Sequence, residues 1–174
     1  MEVSAAIIRV VSSWFRNYGY ASVYDHLIVG AMPLDDADVH LLATLGVDRV
    51  LNLVDDSEYK RGARRKVERA LATEEIEEQR LRTEDYGNLS PDLLEHATAQ
   101  VNAWLDDDRI VYLHCRAGWQ RSAAVAAGVI ALRDGTEPEA ALVQVQALKN
   151  TADPMPHQRE DLQRWFAARV SRQP

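Results

Sequence analysis

Three side chains with complementary chemistry lie within residues 114–122, HCRAGWQRS. Cys115 is the only cysteine of the chain, and a cysteine in its thiolate form is a strong nucleophile. Arg121 carries a planar guanidinium whose two parallel N–H groups match two oxygens of a phosphate. Ser122 adds a hydroxyl next to it. The spacing therefore predicts a nucleophile and an anion-binding group that act on one substrate.

The segments on either side of this stretch indicate how these groups are positioned. An apolar run at 110–113 predicts a buried strand, and a run of small residues at 122–127 predicts a helix. A loop at a helix N-terminus collects unpaired backbone N–H groups, which bind an anion and favour a thiolate. Gly118 would allow a tight bend or a close backbone approach. The alternative interpretation is a structural cysteine buried at the end of a strand.

The whole motif resembles a known family. Cys-x5-Arg, preceded by His114 and followed by Ser122, resembles the signature loop of cysteine-dependent phosphatases. The form Cys-x-Ala-Gly-x-x-Arg-Ser is similar to the dual-specificity branch. The resemblance implies a phosphocysteine intermediate on Cys115 with no metal or cofactor, a phosphate clamp at Arg121, and supporting roles for His114 and Ser122. It also implies that the substrate phosphate is bound by the loop residues Arg116, Ala117, Gly118, Trp119, Gln120 and Arg121.

Such chemistry needs a second group, because the leaving oxygen must receive a proton. The dual-specificity branch carries that acid on a loop upstream of the cysteine, and Asp85 fits this position. Asp85 would then act as the base toward the water that hydrolyses the phosphocysteine. Asp92 and Glu84 are rival candidates, although Asp92 falls in the first turn of a predicted helix, where the dipole already favours an acid. An exposed turn aspartate without a catalytic role is the remaining interpretation of Asp85.

Three further residues near the motif have two interpretations each. Trp119 could form one lip of the pocket or pack on a neighbouring helix. Gln120 could contact phosphate or position water, or contribute only its backbone N–H. Gln158 could reach a catalytic water, or bond locally as amides at helix N-termini often do.

The pattern of elements predicts an α/β fold in a single domain, with a central, mainly parallel, twisted sheet flanked by helices. The signature loop would then lie at the carboxyl end of a central strand, where ligands of such sheets bind. The predicted strands are 26–30, 47–54, 76–83 and 110–113. The predicted helices are 35–45, 57–73, 90–106, 121–133, 136–149 and 158–170.

The N-terminal segment shows apolar residues near helical spacing from residue 3 to residue 15. We expect an amphipathic helical extension over residues 1–20, followed by a dual-specificity-type phosphatase domain over 21–174. The helix would pack on the domain or, through residues 3–16, contact a membrane or a partner.

A basic cluster follows in the predicted helix 57–73. It could attract an acidic phospholipid or a polyphosphate, or it could be an ordinary solvated helix face with acids interspersed. Its members are Arg61, Arg64, Arg65, Lys66 and Arg69.

Composition narrows the class of protein. The chain has 174 residues, of which 47% are apolar and 27% charged, which is ordinary for a globular domain. A net charge of −7 argues against nucleic acid as a partner. A single cysteine indicates a reducing compartment. With no signal-peptide pattern and no apolar run of transmembrane length, we expect a cytoplasmic protein, either free or peripherally attached to a membrane.

The substrate is predicted only as a class. Segments 27–33, 50–53 and 56–59 resemble the lipid-phosphatase-like branch, which includes phosphatidylglycerophosphate phosphatases. The candidates are therefore a phosphoprotein bearing phosphotyrosine, phosphoserine or phosphothreonine, or a phospholipid head group such as phosphatidylglycerophosphate or a phosphoinositide. Two other functions compete, a non-catalytic phosphate-recognition module and a rhodanese-like sulfurtransferase, which also carries a cysteine on a strand-to-helix loop.

Overall fold

A computed structural model describes residues 10–172, and within that range the chain folds around one five-stranded sheet. The strands are β1 Tyr20–Tyr24, β2 Leu27–Gly30, β3 Arg49–Val54, β4 Glu77–Thr83 and β5 Val111–His114. Their order is β1-β2-β5-β3-β4. Neighbouring strands from β2 to β4 are parallel, whereas β1 lies antiparallel to β2 at one edge. The strand that precedes Cys115 is thus the central one.

Helices cover both faces of the sheet. They are α1 Ser13–Tyr18, α2 Asp36–Thr44, α3 Ala63–Thr73, α4 Pro91–Asp106, α5 Arg121–Asp134, α6 Pro138–Leu148 and α7 Pro156–Val170, with a short 3-10 helix at Asp56–Glu58. One core lies under α4 to α7 and the other under α1 to α3. β5 feeds both, because Val111 and Leu113 face the first core and Tyr112 faces the second. The predicted α/β architecture is confirmed.

The helix that follows Cys115 is the most deeply buried one. Every residue of α5 from Arg121 to Ala131 is buried. Five alanines and Gly128 give this stretch small side chains, so that α4 and α7 can approach it closely. A Cβ at Gly128 would lie 3.1 Å from side-chain atoms of both Thr98 and Leu162. The small-residue run therefore lets α5 occupy the centre of the molecule and fixes the start of the helix beside β5.

Two elements differ from the sequence prediction. β1 was not predicted, because in this half-exposed edge strand only Val23 is buried and the hydrophobic pattern is weak. The predicted helix over 57–73 is wrong in its first part, since the 3-10 helix ends at Glu58 and α3 begins only at Ala63. Gly62, at φ 80°, lies in the left-handed region between them and interrupts the helix.

Only part of the predicted N-terminal helix can be compared with the structure, and in that part the helix is shorter than expected. Residues 3–9 lie outside the described residues, 10–12 are not helical, and α1 starts later than expected. Ser12 caps α1 by accepting the N–H of Phe15, and its own N–H and hydroxyl both donate to Asp38, each at 2.7 Å. Phe15 is buried in the core beside Tyr112. α1 is therefore anchored on the domain. Among the described helices, none is long and apolar enough to cross a bilayer.

Candidate active site

The loop of residues 115–120 joins the carboxyl end of β5 to α5. Gly118 has φ 74°, and a Cβ there would lie 2.5 Å from the carbonyl carbon of Gly30. The carbonyl of Arg116 accepts the N–H of Met32 at 3.0 Å. Only glycine combines this left-handed backbone with so close an approach. The loop is thus held against the end of β2.

The same loop leaves its backbone donors available. Within residues 10–172, no N–H of residues 116–120 donates to another backbone group. Gln120, the residue before α5, makes no side-chain cap. These N–H groups and the positive end of the long buried helix converge on one concave surface. The arrangement suits an anion with several oxygens.

Cys115 and Ser122 lie together at the base of the loop. Cys115 is buried, with 3% of its surface exposed, and Ser122 is fully buried. The sulfur lies 3.2 Å from the Ser122 hydroxyl oxygen. Ser122 is therefore close enough to donate a hydrogen bond to the sulfur.

His114 is buried directly behind the cysteine. Its Nδ1 donates to the Cys115 carbonyl at 3.1 Å, and its Nε2 is buried without a partner among the described residues. Burial lowers the pKa of His114 to about 4, so the imidazole is neutral at neutral pH. The residue therefore holds the backbone of the cysteine in place and brings no positive charge to it.

Arg121 is the most unusual residue of the site, because its guanidinium is almost completely buried. Nη1 and Nη2 donate to the two carboxylate oxygens of Glu58 at 2.7 and 2.8 Å. Nη1 also donates to the carbonyl of Thr83 at 2.7 Å. Burial would lower the pKa of Arg121, but the hydrogen bonds to Glu58 and the surrounding negative charges raise it instead. The guanidinium is therefore fixed in position and stays protonated.

Asp85 contacts the same guanidinium from the other side. Its Oδ1 accepts from Nη2 of Arg121 at 2.9 Å, and its side chain is about a quarter exposed. β4 ends at Thr83, and Asp85 is the second residue after it. Asp85 therefore lies at the same edge of the sheet as the cysteine loop. Asp85 is thus the carboxylate that the structure brings to Arg121 beside the cavity.

The N-terminal turn of α7 fixes the loop that carries Asp85. Nε2 of Gln158 donates to the carbonyl of Gly87 at 3.0 Å, and His157 lies 3.0 Å from the carbonyl of Tyr86. Oδ2 of Asp161 accepts the N–H of Leu89 at 2.9 Å. The acid loop therefore has three attachments to one helix end.

These contacts decide between two interpretations made from the sequence. Gln158 is fully buried, and its Oε1 accepts the N–H of Met155. Both ends of the amide make local hydrogen bonds, which favours the interpretation that Gln158 bonds locally at the helix N-terminus. The rival acids are exposed and do not line the cavity beside Cys115: Asp92 lies in the first turn of α4, and Glu84 directly follows β4.

A cavity of about 220 Å³ opens above the cysteine loop, and we call it the Cys115 cavity. It brings together most of the residues predicted from the motif, while Gly118, Ser122 and His114 lie beneath it. Its lining residues are Trp14, Tyr18, Asp85, Tyr86, Cys115, Arg116, Ala117, Trp119, Gln120 and Arg121.

Aromatic rings form one wall of this cavity. The ring centroids of Trp14 and Tyr18 are 4.2 Å apart, and those of Tyr18 and Trp119 are 5.4 Å apart. The guanidinium of Arg116 lies over Trp14 at 5.7 Å. Trp119 therefore forms a lip of the cavity and also packs on α1. Gln120 lines the cavity and donates to the sulfur of Met155 at 3.4 Å.

The basic cluster predicted from the sequence does not form one surface. Arg64 turns inward, forms an ion pair with Glu78 and lies 5.8 Å from the centroid of the Tyr59 ring. Arg65 is exposed, and Arg69 lines a separate depression with Asp36 and Glu74. Arg61 and Lys66 instead border a groove next to the Cys115 cavity.

Sequence reasoning missed three residues of the site. Glu58 was assigned to a polar helix face, although Asp55-x-x-Glu58 has the spacing of a capping box, which the 3-10 helix confirms. No local signal indicated that Glu58 also holds Arg121. Trp14 and Tyr18 enter the cavity because α1 crosses over the cysteine loop, which is a tertiary relationship.

Comparison with solved structures shows the same fold in cysteine phosphatases. The crystal structure of PTPMT1 has a TM-score of 0.76 and 22% sequence identity, and the match covers 88% of this chain and 98% of that one. Tk-PTP in its active form has a TM-score of 0.75 and 19% sequence identity, and the match covers 85% of this chain and 96% of that one. Human DUSP28 has a TM-score of 0.70 and 21% sequence identity, and the match covers 87% of this chain and 98% of that one. No curated protein sequence matches the chain.

A family model matches residues 22–171 and is described as "Swiss Army Knife protein, DSP-PTPase phosphatase domain". The match spans most of the chain and includes the sheet, the cysteine loop and the acid loop. It confirms the resemblance to the dual-specificity branch that the motif around Cys115 carries. The chain therefore belongs to the PTP-SAK family of dual-specificity-type phosphatase domains.

Proposed function

We propose that this phosphatase domain hydrolyses phosphomonoesters through a phosphocysteine on Cys115, without a metal ion. One observation carries the proposal: a nucleophile, a buried guanidinium and a carboxylate line a single small cavity with unpaired backbone N–H groups at its base. A phosphate-recognition module needs only part of this set. A phosphatase needs all of it.

The first chemical step transfers the phosphoryl group to sulfur. The Cys115 thiolate attacks phosphorus, the S–P bond forms and the ester P–O bond breaks. The departing oxygen takes a proton from Asp85. Arg121 and the loop N–H groups bind the three non-bridging oxygens, whose charge they stabilise throughout.

The second step restores the thiolate. Water attacks the phosphocysteine, Asp85 takes one proton from it, the S–P bond breaks and inorganic phosphate leaves. Ser122 stabilises the released sulfur through a hydrogen bond, since its hydroxyl lies 3.2 Å away. His114 acts as a positioning residue that holds the Cys115 carbonyl.

Two substrate classes fit this cavity, a phosphoprotein and a phospholipid head group. PTPMT1, whose fold this chain shares, has been crystallised in complex with PI(5)P, at 21% identity and a TM-score of 0.76. That relative supports the lipid class. The aromatic wall of Trp14, Tyr18 and Trp119 would also accept a phosphotyrosine ring. A reducing compartment, such as the cytoplasm, would protect Cys115 from oxidation.

A phosphate-release assay tests the proposal and ranks the substrates. Wild-type protein is compared with Cys115→Ser on an aryl phosphate, a phosphotyrosine peptide, a phosphoserine peptide, phosphatidylglycerophosphate and a phosphoinositide. We expect turnover that the substitution abolishes on every substrate. Wild-type turnover by Cys115→Ser would rule out the cysteine mechanism.

A further inference from the structure

A second concave surface adjoins the Cys115 cavity. We call it the basic groove and define it by Lys60, Arg61, Lys66 and Arg116, which line a volume of about 710 Å³. The groove and the Cys115 cavity share Trp14, Tyr18 and Arg116 as lining residues. A molecule that binds in the cavity can therefore extend into the groove past one aromatic wall.

The charge of the groove is strongly positive although the chain is acidic. All four cationic side chains are exposed, and within residues 10–172 none of them forms a salt bridge. The carboxylate that lines the groove, Glu58, is already neutralised by its bidentate contact with Arg121. Lys66 marks the far end, where it also borders the depression that holds Asp36 and Glu74. Against a net charge of −7, this clustering selects for anions locally.

The remaining lining suits a compact ligand with carbon atoms between its charges. Met32, Leu34 and Ala63 supply apolar surface between the cations. Residues of α1 and of the start of α3 border the groove, and neither edge strand, β1 or β4, contributes to it. Proteins commonly bind an extended peptide by pairing its backbone with an edge strand of a sheet. No edge strand lines the basic groove.

We propose that the basic groove binds a second phosphate group of the substrate. The substrate is then a polyol that carries a scissile phosphomonoester, held by Cys115 and Arg121, and a second phosphate, held by Lys60 and Arg61. Arg116 lies between the two sites and contributes to both. This inference names the substrate class and rests on the proposed function. The same chemistry occurs in a soluble polyol bisphosphate and in a phospholipid head group.

Binding to the Cys115→Ser protein tests the groove without turnover. The probes are an inositol bisphosphate and the matching inositol monophosphate, titrated by calorimetry. We expect the bisphosphate to bind about tenfold more tightly or better, since a second phosphate gains charge-assisted contacts. Adding Lys60→Gln and Arg61→Gln should remove that advantage and leave the affinity for the monophosphate within about twofold. Arg65→Gln, at an exposed position near the start of α3 but outside the groove, is the matched control and should change neither.

Turnover of p-nitrophenyl phosphate by the groove variants with Cys115 intact separates the two proposals. We expect wild-type kcat/KM, because this substrate has one phosphate and does not reach the groove. If the wild-type protein turns over this ester but binds mono- and bisphosphates equally, the groove proposal is wrong. If it turns over no ester yet discriminates the bisphosphate through Lys60 and Arg61, the phosphatase mechanism is wrong and the groove proposal stands.

Two further arms identify the source of the second phosphate. If Lys60→Gln and Arg61→Gln lower the affinity for phosphatidylcholine vesicles that carry phosphatidylglycerophosphate, a lipid head group is supported as the source. If they lower only the affinity for the soluble inositol bisphosphate, a free polyol is supported. A doubly phosphorylated peptide serves as the third probe. A larger loss of affinity for that peptide than for the polyol would overturn the assigned class.

Discussion

Nη2 of Arg121 lies 2.9 Å from Oδ1 of Asp85, so the proposed phosphate clamp and the proposed acid form one ion pair. Glu58 accepts from both Nη1 and Nη2, and the Thr83 carbonyl accepts from Nη1, while Nε is buried without a partner among the described residues. A phosphate that binds Arg121 would use Nε and Nη2 and displace Asp85. We infer that substrate binding moves Asp85 from the guanidinium toward the leaving oxygen.

Asp85→Asn tests this exchange through the leaving group. Asparagine can still accept from Arg121 but cannot supply a proton. We expect kcat/KM, which reports the transfer to sulfur and not the later hydrolysis, to fall about a hundredfold or more on an alkyl phosphate. The fall on p-nitrophenyl phosphate should be much smaller, because its leaving group departs without protonation. The rival positions provide controls, because Asp92→Asn and Glu84→Gln should leave both rates near wild type. Equal losses on the two esters would point to another acid.

Glu58→Gln tests the buried pair beneath the site. The substitution removes the charge of the more deeply buried of the two carboxylates that pair with the Arg121 guanidinium, which is 1% exposed. Breaking a buried pair from one side costs about 3 kcal/mol or more, and a mispositioned clamp should lower kcat/KM by at least about tenfold. Urea unfolding and aryl phosphate kinetics measure the two effects.

Glu68→Gln is the matched control for that substitution. Glu68 pairs with Arg64 at the surface of α3, where its side chain is 52% exposed. Exposed pairs contribute little, so we expect a change below about 1 kcal/mol and wild-type kinetics. A loss at Glu68 as large as that at Glu58 would mean that the buried contact has no special role.

Gly118→Ala tests the shape of the cysteine loop. The new Cβ would lie 2.5 Å from the backbone of Gly30, so the loop must shift and its N–H groups lose their convergence. Gly135→Ala offers the same kind of left-handed backbone, φ 64°, with no atom within 4 Å. Both variants place alanine in a left-handed backbone conformation, which lowers the free energy of unfolding by about 1–2 kcal/mol. Only Gly118→Ala should lose most of its activity; retained activity there would show that the loop does not depend on this close approach.

His114 predicts a pH dependence of stability. Its pKa is about 4 in the fold, against 6.5 as the ordinary value, because burial disfavours the charged imidazole. Below pH 6.5 the unfolded chain binds a proton that the folded chain does not. The stability contributed by the neutral imidazole is therefore complete above pH 6.5 and is lost as the pH falls to about 4, on the order of 3 kcal/mol in total.

Urea unfolding from pH 7 to pH 4 measures this loss, and the difference between wild type and His114→Gln isolates the contribution of the imidazole. Titration of the wild-type His114 ring by NMR provides the second readout, which does not require the variant to fold. A midpoint near 6.5 would contradict a buried, neutral imidazole.

The sequence predicted those parts of the site that are local. The cysteine, arginine and serine lie in one loop whose flanking strand and helix have strong hydrophobic patterns, so their proximity followed from the order of residues 110–127. Four strands with buried or alternating patterns, including those before Asp85 and Cys115, were recognised for the same reason.

Long-range relationships escaped prediction. Glu58 reaches Arg121 across 63 positions of sequence, and no local pattern encodes that contact. Trp14 enters the cavity only because Ser12 is tied to Asp38 and directs α1 over the loop. Gln158 was a candidate for contact with a catalytic water, but its Nε2 donates to the carbonyl of Gly87 in the loop that carries Asp85.

The phosphocysteine intermediate can be detected on the protein itself. Asp85→Asn protein is mixed with p-nitrophenyl phosphate and quenched in acid, and its Cys115 peptide is analysed by mass spectrometry. Because slow hydrolysis should let the intermediate accumulate, we expect one phosphoryl group on Cys115 and a burst of one nitrophenol per enzyme. Steady turnover by the wild-type protein with no burst, no phosphoryl group on Cys115 and full activity in Cys115→Ser would contradict this mechanism.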